Sequence, residues 1–239
     1  MCGIVGYVGR SEAAPILLDG LRRLEYRGYD SAGIAVLDGA GNDATVVKSE
    51  RKVDDLARLL AEQGLPEGGL GIGHTRWATH GRPTVVNAHP HQDCEGRIHL
   101  IHNGIIENFR ELRAELVGRG HRMASDTDTE VVPHLIEELY RGSLEAAVRA
   151  ALRRIEGAYA LVVFHAAEPS TLVAARLNAP LVLGLGSGES FVSSDITALI
   201  PYTKRIRLLG EGEVAEARGG EVTVRSLDGT IAESRTITV

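Results

Sequence analysis

Two of the 239 residues are cysteine, Cys2 and Cys94, too few for a disulfide framework. That economy fits a reducing compartment, and a cytoplasmic location is expected. Aromatic residues make up 4% of the chain, with one tryptophan, so aliphatic side chains must fill the core. No apolar run approaches the roughly 20 residues that span a bilayer. The start, MCGIVGYVGR, lacks the charged and then long apolar stretch of a secretory signal, so no membrane association is expected. A basic excess is missing too. Lys and Arg number 26 against 32 Asp and Glu, for a net charge of −6, which argues against a nucleic-acid partner.

Glycine, at 28 residues, is abundant, and 44% hydrophobic with 24% charged residues is an ordinary globular balance. The length allows one large domain or two small ones. No repeat, low-complexity tract or linker divides it, so residues 1–239 read as a single domain. Apolar β-type runs recur at Gly3–Val8, Gly33–Leu37, Thr45–Lys48, Leu70–His74, Ile98–His102, Ala158–His165, Thr171–Ala175 and Leu181–Leu185. Between them lie helical patterns. Ser11 is placed to cap a helix running to about Leu24, with Pro15 in its first turn. Val53–Glu62 carries one apolar face and stops at Gly64. Asn108 with Glu111, and Thr127 with Glu130, resemble capping boxes opening helices at Phe109–Val117 and Asp128–Tyr140. Ser143–Ile155 is a fifth candidate. The end alternates over Ile206–Leu209, Glu213–Ala217, Glu221–Ser226 and Thr230–Thr236, with hairpin signals at Gly219–Gly220 and Asp228–Gly229. These patterns predict a mixed α/β domain ending in an antiparallel meander.

Several segments offer chemistry. Removal of Met1 would leave Cys2 first in the chain, with a thiol and a free α-amine on one residue. An α-amine titrates at about 7.7–8.0 and a thiol at about 8.5, so one residue would supply base and nucleophile at neutral pH. Cys2 also reads as an ordinary buried thiol. In Gly73–Gly81 (GHTRWATHG), Arg76 offers a planar fork for a carboxylate; it reads equally as a surface arginine beside an anchoring Trp77. Asn103–Gly104 pairs an amide donor with a glycine N–H, which suits an oxyanion. Locally it is also a common hairpin signal. Asp128, in SDTDTE, would hold an ammonium or simply favour a helix N-terminus. His89-Pro90-His91, with Cys94, His99 and His102 nearby, raises a metal site. There is no H-E-x-x-H, no C-x-x-C and no closed ligand set, so no metal and no cofactor are expected. Gly184–Gly188 lacks the P-loop lysine and reads as a tight turn.

Taken together, MCGIVGYVG, LEYRGYDSAG, HTRWATHG, NAHPH, HNGIIEN and SDTDTE occur in one order. The chain thereby resembles the class II glutamine amidotransferase domains, which are N-terminal-nucleophile hydrolases. It is most similar to the branch found in glutamine–fructose-6-phosphate aminotransferases. The resemblance implies an α+β fold, a four-layer αββα sandwich with two antiparallel sheets. It implies hydrolysis of L-glutamine to L-glutamate and ammonia. Cys2 would be the nucleophile, with its α-amine as base, and Asn103 and Gly104 the oxyanion hole. Arg76 would bind the substrate carboxylate and Asp128 its ammonium. Trp77, Thr79 and His80 would line the pocket, Trp77 also gating an ammonia channel, while His89 and Arg27 would stand near the site. Partners implied are L-glutamine and the sugar-isomerase domains that act on fructose 6-phosphate. Since 239 residues leave no room for those domains, an isolated glutaminase domain is expected. Three rivals remain: a partner-binding or regulatory subunit without activity, the glutaminase domain of another amidotransferase, and a metal-dependent amidohydrolase using the histidines.

Overall fold

The computed structural model describes residues 2–39, 43–77, 82–233 and 235–239. In chain order the elements are β1 (Gly3–Val8), α1 (Ala13–Leu24), β2 (Ser31–Leu37), β3 (Ala44–Ser49), α2 (Val53–Gln63), β4 (Leu70–Arg76), β5 (His91–Gln92) and β6 (Ile98–Ile106). They continue with α3 (Phe109–Gly118), α4 (Val131–Leu139), α5 (Leu144–Leu152), β7 (Gly157–His165), β8 (Leu172–Leu177), β9 (Val182–Leu185) and β10 (Ser190–Ser193). The last are β11 (Arg205–Leu208), β12 (Glu213–Arg218), β13 (Glu221–Ser226) and β14 (Thr236–Thr238).

Two antiparallel sheets result. One orders β14-β11-β9-β10-β1-β4-β2-β3, the other β13-β12-β8-β7-β6-β5. Strand alternation decides which side chain enters which layer. In β7, Ala160, Val162 and Phe164 face the space between the sheets, together with Ile4 and Ile72 of the first sheet. Tyr159, Leu161 and Val163 face the other way, against Leu135 of α4 and Val148 of α5. On the far side of the first sheet, Leu17 and Leu21 of α1 and Leu56 and Leu60 of α2 cover Val5, Tyr7 and Ile34. Each large aliphatic chain buried in this way contributes about 1.5–3 kcal/mol. The layers are therefore helices, sheet, sheet, helices, as the resemblance implied. Among the described residues, no helix is long and apolar enough to cross a membrane.

Local expectations fail at identifiable places. Helix α1 starts at Ala13 after Glu12, with no side-chain cap, so Ser11 is not its cap. The Glu12 carboxylate instead accepts from the Gly68 N–H at 2.7 Å. Asn108 does not cap α3 with its side chain. Its amide donates to Arg154 O and accepts from Glu156 N, closing the gap between β6 and β7. Helix α4 opens at Val131 rather than Asp128. Glu130 does reach back, accepting from the N–H groups of Ala124 and Ser125 at 2.7 and 2.8 Å. The Ser143–Ile155 candidate forms α5, shorter than expected, with Ser143 as its cap accepting from Ala146 N. Asn103–Gly104 is no hairpin turn but the interior of β6, with Gly104 opposite Tyr159 of β7. The terminal meander is not one unit: β12 and β13 pair as a hairpin in one sheet, whereas β11 and β14 lie in the other. Among the described residues, Thr230–Thr236 yields an isolated bridge at Ile231 and the first residue of β14. Gly184 and Leu185 end β9, and Gly186–Glu189 makes the tight turn to β10, so the expected turn is present but starts two residues later.

Candidate active site

Cys2 precedes β1, and Gly3 lies opposite Thr75 of β4. The Gly3 N–H donates to Thr75 Oγ1 at 3.1 Å, which pins the chain start to β4. Two residues on, the Trp77 N–H donates to Cys2 Sγ at 3.1 Å. The thiol is thus held against the end of β4. Gly28 packs there as well: a Cβ on it would stand 2.9 Å from the Arg76 carbonyl carbon and the Trp77 nitrogen.

The second sheet brings Asn103 and Gly104. Asn103 Nδ2 donates to the Cys2 carbonyl at 2.8 Å. On the other side of the amide, His74 Nε2 lies 2.9 Å from Asn103 Oδ1 and 3.1 Å from the His102 carbonyl. Both partners are oxygens, so Nε2 carries the proton and donates. Gly104 has φ +133°, and a Cβ there would meet the Ala158 carbonyl at 2.0 Å. Only glycine fits this position.

Arg76 and Asp128 are both buried, at 4% and 5% exposure, and both line one cavity of about 430 Å³ with Cys2, Trp77, Asn103 and Gly104. One Asp128 oxygen accepts from Ile106 N at 2.8 Å. Arg27 reaches the same cavity. It pairs with Asp195 and donates through Nε to Tyr26 at 3.1 Å. Trp77 is half-exposed at the rim, edge-on to Tyr29 with ring centroids 5.6 Å apart. Thr79 and His80 lie outside the described residues.

His89 is not in the cavity wall. It belongs to a buried group of imidazoles behind the site, 4.1 Å from the His74 ring and 4.7 Å from the His91 ring between centroids. Thr129 Oγ1 touches two of them, lying 2.9 Å from His102 Nδ1 and 3.3 Å from His89 Nε2. Burial pushes His74 down to about 3 and holds His89 and His91 well below the ordinary histidine range, so these rings are neutral. Burial also raises the Cys2 thiol above its usual value, against the opposing pull of the Trp77 N–H and the Arg76 charge. Burial lowers Arg76, opposed by Cys2, Asp128 and Asp30.

The structure therefore gathers Cys2, Arg76, Trp77, Asn103, Gly104, Asp128 and Arg27 around one cavity and sets His89 behind it. Sequence reasoning missed His74 and Ile106, which orient Asn103 and Asp128. The strand alternation held a usable signal for His74, two residues before Arg76 on the same face of β4. It also missed a cluster of Cys94, His121, His134 and Glu137, because these residues are far apart in the chain.

A family model of the glutamine amidotransferase domain matches residues 75–201. The chain is 54% identical over 239 residues to a glutamine–fructose-6-phosphate aminotransferase (isomerizing) of Thermus thermophilus, covering 100% of this chain and 39% of that protein. The enzyme of the same name from Streptomyces coelicolor is 52% identical over 237 residues, covering 98% of this chain and 38% of its own length. The chain thus spans about two-fifths of these relatives. Among solved structures, the glutamine phosphoribosylpyrophosphate amidotransferase of B. subtilis superposes with a TM-score of 0.82 at 26% identity, over 96% of this chain and 50% of that one. By sequence, fold and the residues gathered at its cavity, the chain belongs to the glutamine amidotransferase domain family, in the class II, N-terminal-nucleophile branch.

Proposed function

We propose that this chain hydrolyses L-glutamine to L-glutamate and ammonia, with Cys2 as the nucleophile. The observation that carries this reading is the single cavity in which a thiol, an amide donor, a buried guanidinium and a buried carboxylate converge. The substrate's α-carboxylate meets Arg76, and its α-ammonium meets the oxygen of Asp128 that faces the cavity. This charge pair selects an amino acid over a bare amide. The Cys2 thiol attacks the side-chain carbonyl. The Asn103 amide, held by His74, and the Gly104 N–H receive the developing oxyanion.

A thiol whose pKa is raised by burial needs a base. Removal of Met1 frees the Cys2 α-amine, which takes the thiol proton, directly or through a water. It returns the proton to departing ammonia, and water then cleaves the thioester. Trp77, at the rim, gates the departing ammonia, with Thr79 and His80 completing the pocket wall and Arg27 and His89 supporting it. The identity to glutamine–fructose-6-phosphate aminotransferases along the whole chain extends the proposal. The ammonia serves to aminate fructose 6-phosphate on sugar-isomerase domains, in the cytoplasm.

The test is glutamate release from L-glutamine by the purified chain, with intact mass recorded on the same sample. Release is expected from protein whose first residue is Cys2, and none from a folded Cys2→Ala variant. Equal release by Cys2→Ala overturns the reading.

A further inference from the structure

Away from the cavity, four side chains from three segments bring one ligand atom each within 4.8 Å of one another. Cys94 follows β5, His121 follows α3, and His134 and Glu137 lie on α4. Cys94 Sγ is 3.5 Å from His121 Nδ1 and 3.4 Å from His134 Nδ1. The two Nδ1 atoms are 3.3 Å apart. Glu137 Oε2 is 3.1 Å from His121 Nδ1 and 3.4 Å from His134 Nδ1. Metal–ligand lengths of about 2.0–2.1 Å to nitrogen and about 2.3 Å to sulfur give tetrahedral edges of about 3.4 Å for N···N and about 3.6 Å for N···S. The observed separations are close to those edges.

We propose that Cys94, His121, His134 and Glu137 form a structural site for a borderline-soft divalent cation, zinc foremost. The outer contacts agree. His121 Nε2 lies 3.4 Å from Glu138 Oε1, and Glu138 is in turn held by Arg119 at 2.6 Å. His134 Nε2 is buried without a hydrogen-bond partner and faces Glu130 Oε1 at 4.0 Å. Both rings thus turn Nδ1 inward and Nε2 to the carboxylate side, and His121 with Glu138 comes nearest to the carboxylate-to-imidazole contact that orients a metal-bound ring. Hydrogen bonding accounts for the cluster less well, since two nitrogens this close share at most one proton. Thiolate and carboxylate balance a divalent charge, and binding releases the Cys94 thiol proton to solvent. With four protein ligands the site is closed, so its role is to hold the β5–β6 turn, the segment after α3 and helix α4 together.

Cobalt(II) titrated into the chelator-treated full chain tests the site, read by absorption. One cobalt per chain is expected, with the intense visible bands of tetrahedral geometry, a thiolate-to-cobalt charge-transfer band, and displacement by zinc. The charge-transfer band should vanish in Cys94→Ser and persist in Cys2→Ala. Glu138→Gln should weaken zinc binding about 10–100-fold. If Cys94→Ser does not fold, Cys2→Ala decides alone, because Cys94 is then the only thiol left. A pale octahedral spectrum, no stoichiometric binding, or a band that is lost in Cys2→Ala overturns the proposal. None of these readouts depends on glutamine turnover.

Discussion

His74 of β4 and Asn103 of β6 are joined across the two sheets, with Nε2 2.9 Å from Oδ1. The bond fixes which end of the Asn103 amide faces Cys2. With Oδ1 occupied by His74, the NH2 group is turned to the Cys2 carbonyl. An oxyanion donor is useful only if its orientation is settled before charge develops.

Replacing His74 should therefore impair the chemical step more than binding. His74→Ala is expected to lower kcat for glutamate release by about tenfold or more, with KM changed little. Asn103→Ala, which removes the donor itself, should cost about 10²–10³ in kcat. Steady-state kinetics on the folded variants check both, and a rise in KM with constant kcat would contradict the positioning role.

Asp128 is assigned to the substrate ammonium. Asp128→Asn should raise KM for L-glutamine by about 10–150-fold, as expected for loss of a charge-assisted contact worth about 1.5–3 kcal/mol. For an analogue that lacks the α-amino group, the variant and the parent should differ far less. Comparable losses on both compounds would place Asp128 in a purely structural role at the Ile106 N–H.

Gly104 lies inside a strand at φ +133°, with the Ala158 carbonyl where a Cβ would stand. Gly104→Ala should abolish glutamate release and lower the Tm, by an amount equivalent to about 2 kcal/mol or more, since backbone must move to admit the methyl. An unchanged Tm would mean that the β6–β7 pairing yields easily at this point.

The buried imidazoles make the fold sensitive to acid. Their folded pKa values lie below the unfolded value of about 6.5, to about 3 for His74. The unfolded chain then binds more protons, so stability is full above about pH 6.5 and falls as pH drops toward the folded values. Each such histidine adds a slope of about 1.4 kcal/mol per pH unit in that window. Tm measured from pH 7 to 5 should decline steeply, above the range where carboxylates titrate. A flat profile would show that these rings are protonated in the folded state.

The fold was legible in its pieces and not in its assembly. Strands such as β7 bury both faces, so their apolar runs carry no sign of which sheet or layer they enter. Polar side chains at element starts were read as caps, yet Ser11 does not cap α1 and Asn108 spends its hydrogen bonds on distant backbone groups. Asn103–Gly104 was locally a turn, and only pairing with β7 makes it strand. The chemical residues were legible because each sits at the end of an element or in a distinctive short motif. His74 was passed over because its role depends on contact with the other sheet. Cys94, His121 and the His134–Glu137 pair converge only through the packing of α4 on β5 and of α3 on α4, which no spacing rule encodes.

The central claim is that Cys2 is the reacting thiol. A glutamine analogue bearing a diazoketone in place of the side-chain amide should alkylate it. Peptide mapping of the processed chain is expected to find one adduct, on Cys2, suppressed by excess L-glutamine, with Cys94 unmodified. An adduct on Cys94, or labelling indifferent to glutamine, would contradict the account.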